Sequence, residues 1–82
     1  MITADIIEEI SKRRQEYRKN KQPVPKLEIH MNSLAYHAII QDPEQWMPPV
    51  VDDMVNNGKI VGCAVVLDGN TGIMPGWYVK EK

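Results

Sequence analysis

The run "KIVGCAVVL" (59–67) limits what this chain can fold into more than any other stretch. It is apolar on both faces. Ile60, Ala64 and Val66, with Gly62 between them, form one face, and Val61, Cys63, Val65 and Leu67 form the other. A strand without a polar face needs cover on both sides, so the run reads as a central strand. "DGNTG" (68–72) is rich in residues that tolerate positive φ and predicts a chain reversal. Pro75 cannot donate to a ladder, which assigns 73–76 to loop or edge, and "GWYVKE" (76–81) is the returning strand. On this reading 58–79 is a hairpin that closes the core.

What precedes the run has its own periodicities. Ile6, Ile10 and Tyr17 fall on one helical stripe with Ile7 beside it, behind Thr3 as N-cap and Ile2 as a staple onto Ile7. Acids early and bases late suit the helix dipole, Glu9–Arg13 is an i,i+4 pair, and Asn20 with the prolines of "QPVP" (22–25) ends the helix. "KLEIHMN" (26–32) alternates, Leu27, Ile29 and Met31 against Glu28 and His30, as a half-buried strand does. Asn32 or Ser33 caps a short helix, "SLAYHAIIQ", stopped by Asp42-Pro43. "PVVDDMVNNG" predicts another short helix from near Pro49, closing at Gly58. The expectation is one α+β domain over 1–82: an N-terminal helix (1–20), then an α+β unit (27–82). That unit runs strand, helix, helical turn, strand, strand, its small sheet mostly antiparallel and covered by helices.

Eighty-two residues hide only about 60–65% of the unfolded surface. Domains this small often lean on disulfides, metals or oligomerisation. The single cysteine, Cys63, excludes an internal disulfide, and His30 and His37 have no thiol pair nearby for zinc. Self-association is the supplement left. The N-terminus "MITADIIEEISKRRQ" carries charge where a signal peptide has an apolar region, and no stretch approaches the roughly 20 apolar residues of a membrane span. The expected location is the cytoplasm, with no membrane partner.

The candidate sites are few. No cofactor-binding, metal or catalytic set is expected: Asp52, Asp53 and Asp68 read as cap and turn acids, and Cys63 in an apolar strand behaves as a small hydrophobe rather than a nucleophile for His30 or His37. Trp46, in "WMPP", and the neighbours Trp77 and Tyr78 are the candidate protein-binding residues, since Trp and Tyr dominate binding hot spots. Trp77 and Tyr78 must face opposite sides of their strand. Charge offers an alternative. Residues 1–26 hold seven Lys/Arg against four Asp/Glu, and the remainder holds three against seven. Arg13, Arg14, Arg18, Lys19 and Lys21, on the basic stretch 12–21, could contact phosphate.

From residue 27 onward, Met31, Asn32, Tyr36, Gly58, Gly62, Val65, Val66, Pro75 and Gly76 fall in a strand–helix–strand pattern. This resembles the axial-domain segment of tailed-phage major capsid proteins. The long spine helix, extended loop and N-terminal arm of a capsid subunit are not in this sequence. The resemblance implies a small phage or prophage accessory protein, working in the host cytoplasm. The expected function is a non-enzymatic module that binds itself, as a homo-oligomer, or another protein; the alternative is a nucleic-acid-binding regulator using the basic helix.

Overall fold

A computed structural model describes residues 2–41, 48–69 and 74–82, with the backbone alone at 48 and 49. The elements are α1 (Ile2–Lys19), β1 (Leu27–Met31), α2 (Ser33–Ile40), α3 (Pro48–Asn57), β2 (Lys59–Ile60), β3 (Cys63–Leu67) and β4 (Trp77–Glu81). The predicted Asp42-Pro43 stop, the Trp46 loop and most of the 68–72 turn lie outside the described residues.

The α+β class holds: the described residues form three helices and a four-stranded sheet in the order β2-β3-β1-β4. The sheet is mixed, not mostly antiparallel: β1 pairs with β3 in parallel and with β4 antiparallel. The expected hairpin is therefore absent, because β1 lies between β3 and β4. The reason is visible in the connections. A long crossover through α2 and α3 returns the chain beside β1 in the same direction, as parallel pairing requires. The chain then crosses the end of β1 to reach its other edge.

β1, not the 59–67 run, is the central strand. The run is broken by a two-residue turn in which Val61 (φ 50) and Gly62 (φ 79) both lie in the left-handed region. Positive φ at both central residues is the signature of a type I′ hairpin, here joining β2 to β3. Within the run only Ile60 and Cys63 are buried, while Ala64 and Leu67 are exposed. A β-branched residue in this region is strained. Arg14 of α1 holds the turn from outside, its Nη2 donating to the Val61 carbonyl at 2.8 Å and to Cys63 Sγ at 3.4 Å.

The core is one layer between sheet and helices. Leu27, Ile29 and Met31 of β1, Cys63 of β3, Ile60 of β2 and Val79 of β4 pack with Ile6 and Ile10 of α1, Ala35 and Ile39 of α2, and Val50 and Met54 of α3. The alternation of β1 is as predicted, and so is the helical stripe of α1. Thr3 is not the cap of α1: the helix already includes Ile2, and Thr3 Oγ1 is buried without a hydrogen-bond partner. α1 stops at Lys19, and the left-handed residue that closes it is Lys21 (φ 55), one beyond Asn20, with Lys21 N–H donating to Arg18 O and Gln22 N–H to Tyr17 O. That is a Schellman closure carried by a lysine rather than a glycine. Gly58 (φ 66) closes α3 as expected.

Asn32 organises the crossing between strands. It is the N-cap of α2, its Oδ1 accepting from Ala35 N–H at 2.9 Å. The same oxygen accepts from Gly76 N–H at 3.2 Å, and Nδ2 donates to the Met74 carbonyl at 2.7 Å. Its backbone N–H donates to Gly76 O, and next to it Met31 O accepts from Asp68 N–H. One amide thus starts α2 and fixes the approach to β4, while its neighbour holds the exit from β3.

Two outcomes follow from these contacts. Asn32→Ala removes a cap and leaves buried groups unpaired, and is expected to cost about 2–4 kcal/mol in chemical denaturation. Asn32→Asp keeps the cap oxygen but opposes the Met74 carbonyl. The lost donor leaves the Met74 carbonyl facing a second acceptor, so this variant is expected to be less stable than the parent but to keep more stability than Asn32→Ala, in the same denaturation experiment. Second, Val61→Asn places a residue that tolerates positive φ in the turn and should raise stability by about 1 kcal/mol, read as a shift in denaturation midpoint.

Candidate functional site

With all of the buried cluster on the helix side, the sheet turns its other face outward. Strand alternation and register place Glu28 and His30 of β1, Ala64 and Val66 of β3, and Tyr78 and Lys80 of β4 on that face. Trp77 and Tyr78 point opposite ways, as their adjacency demands. Trp77 is half-buried and packs against the core, whereas Tyr78 is 43% exposed on the open face. Of the two, Tyr78 is the more exposed. Trp46 lies outside the described residues.

Tyr78 is held in place from two sides. Its ring stacks on His30, with centroids 4.9 Å apart and planes at 15°. Its hydroxyl donates to Asp68 Oδ2 at 3.1 Å. The same oxygen lies 3.4 Å from His30 Nδ1, while His30 Nε2 faces Glu28 Oε1 at 3.5 Å without hydrogen-bond geometry. His30, its side chain only 13% exposed, is therefore flanked by two carboxylates and roofed by a phenol. This set ties β1, the end of β3 and β4 together on the outer face. It was missed in the sequence because Asp68 stands 38 residues from His30. Partial desolvation and the bond to Asp68 push the Tyr78 phenol above its ordinary 10.0, and the bond to Glu81 does the same for Tyr17.

The backbone of β4 carries the second feature. Lys82 N–H donates to Lys26 O and Asn32 N–H to Gly76 O, so the even-numbered residues of this strand exchange bonds with β1. By alternation, the N–H and C=O groups of Trp77, Val79 and Glu81 point away from the sheet. β4 is an edge strand, and among the described residues nothing bonds its outer row. The opposite edge differs: β2 covers the start of β3, and Val65 N–H donates to Gly58 O.

The basic residues are divided. Arg13 is paired to Glu9 at 3.0 Å and lies 3.9 Å from Glu81, and Arg14 braces the Val61–Gly62 turn. Arg18, Lys19 and Lys21 are exposed at the end of α1. The five do not form one free cationic face. Cys63 points into the core and His30 away from it, so they do not meet. Burial raises the thiol above its ordinary 9.0, an effect that Arg14 opposes without cancelling. Among the described residues no group of three or more His, Cys, Asp and Glu could hold a metal ion, and no helix is long and apolar enough to cross a membrane.

Fold and surface together define the class: a two-layer α+β domain with helices on one side of a mixed sheet and an open, polar-aromatic face on the other. Comparison with known protein families, curated proteins and solved structures finds no match for this chain.

In the folded protein Tyr78 keeps its proton at a pH where the unfolded chain has begun to lose it, so its contribution to stability falls as pH rises past the ordinary value. Asp68→Asn removes the charged acceptor and is expected to bring the Tyr78 titration down, as followed by tyrosinate absorbance. An unmoved titration would show that the carboxylate does not govern this phenol.

Proposed function

We propose that this chain is a non-enzymatic, self-associating module whose contact surface is β4, two copies pairing edge to edge. The outward row of unpaired backbone groups on β4 carries the reading. Antiparallel pairing about a twofold axis at Val79 would set Val79 against Val79 of the second copy and Trp77 against its Glu81. All three outward residues then exchange both of their bonds. This register also places Tyr78 opposite the second copy's Lys80 on the open face, where a cation over an aromatic ring is favourable. Shifting the axis to Lys80 would bring like charges face to face, and shifting it to Tyr78 would set Glu81 against Pro75, which has no N–H. A symmetric pairing of this kind is isologous and joins two four-stranded sheets into one. A phage or prophage accessory role in the host cytoplasm rests on the sequence resemblance of residues 27–82.

Glu81→Pro removes an outward N–H that the intramolecular ladder does not use, together with exposed side-chain contacts to Tyr17 and Arg13, so the monomer should keep its fold. Light scattering over a concentration series is expected to show twice the chain mass for the parent and a single chain for the variant, with unchanged circular dichroism. In the parent, the amides of Trp77, Val79 and Glu81 should be protected from hydrogen exchange. A parent that stays monomeric at every concentration, or a variant that still pairs, overturns the proposal.

A further inference from the structure

At the end of the sheet where β1 and β3 begin and β4 finishes, four cations from four separate segments line one recess. They are Arg14 of α1, Lys26 before β1, Lys59 of β2 and Lys82 after β4. Glu28 is the acidic side chain on the same lining, and it is turned to His30. Among the described residues none of the four cations has a carboxylate within ion-pair distance. This convergence runs against the chain's net charge of −1. Arg14 is the fixed member. Its Nη2 is held by Val61 O and Cys63 Sγ, beside Gly62 at ordinary contact distance. The remaining guanidinium donors have no partner among the described residues, and the three lysines are exposed and free to close over an occupant.

We infer that this recess is an anion site that takes a small phosphorylated ligand. Four cations against one carboxylate that is turned to His30 repel one another, and an anion bearing two or more charges would relieve that repulsion at every member at once. A phosphoryl group matches the set: planar guanidinium donors on one side and compact ammonium groups around it. Four cations gathered around one recess, not strung in a row, favour a small ligand over a nucleic-acid strand, whose evenly spaced phosphates call for a stripe such as the exposed end of α1. The site shares only Lys82 with the end of β4, and its other three cations come from α1, β2 and the residue before β1, so it does not depend on pairing at that edge.

The probe is inorganic pyrophosphate, titrated into the full chain at constant ionic strength and followed by amide NMR shifts. Saturable shifts centred on Lys26, Lys59, Gly62 and Cys63 are expected. Lys26→Gln/Lys59→Gln, both exposed positions, should weaken binding by about tenfold or more. Lys12→Gln/Lys19→Gln removes the same charge from α1 and should leave affinity within about twofold, the residual expected of screened surface charges. Non-saturating shifts, equal losses in both double variants, or shifts confined to 12–21 would each overturn the inference. A short single-stranded oligonucleotide that binds along 12–21 while pyrophosphate leaves the recess unmoved would assign the phosphate contacts to the helix instead.

Discussion

Every crossing in this sheet passes the side chain of Asn32. A parallel pair flanked by an antiparallel strand requires the chain to leave β3, travel over the end of β1 and enter β4 on the far side. That path exposes backbone groups at the top of the central strand, where burial would make them costly. Asn32, itself only 6% exposed, answers them with one amide: its oxygen serves the first turn of α2 and Gly76, and its nitrogen serves Met74. No other residue type offers donor and acceptor at this reach with so short a stem. Aspartate would lack the donor, and serine would not span both partners.

The opposite end of the sheet is built on a different principle. There the chain turns sharply between β2 and β3 on Val61 and Gly62, a sequence poor in turn chemistry, and an arginine from α1 braces it. The turn carries strain at Val61, and among the described residues the brace carries a charge with no carboxylate within ion-pair distance. The two ends therefore differ in kind. One is closed by a single buried amide, while the other is strained, basic and open to solvent. A ligand is better served by the second, since the lysines there have no internal duty.

Local features of the fold were legible in the sequence where one segment's own periodicity decides the outcome. Ile6 and Ile10 mark the face of α1, the Leu27–Ile29–Met31 alternation marks β1, and Asn32 and Gly58 mark a helix start and a helix end. Features that depend on pairing between distant segments were not legible. The apolar run 59–67 looks like a covered central strand because nothing within it signals that Val61 accepts positive φ; the brace comes from Arg14, 47 residues away. The mixed sheet was hidden for the same reason, since hydrophobic alternation gives the face of a strand but not the direction of its neighbour. At the candidate site, adjacency alone fixed that Trp77 and Tyr78 diverge. Which of them faces outward depended on the register with β1, and the Asp68–His30–Tyr78 set depended on the crossing that Asn32 organises.

An open edge strand invites uncontrolled pairing, and proteins commonly place charge there to prevent it. β4 carries Lys80 and Glu81, yet their positions do more than repel. Lys80 faces the open side and Glu81 the helix side, where Tyr17 already bonds it at 2.6 Å. Charges on alternate faces do not bar an incoming strand as such; they penalise registers that set like charges opposite each other. The register centred on Val79 escapes that penalty and uses the whole outward row. Growth beyond two copies has no second open edge of equal length, because β2 already covers the start of β3 and Gly58 binds Val65. A pairing that consumes the β4 edge is therefore closed by the same asymmetry of the sheet that created it.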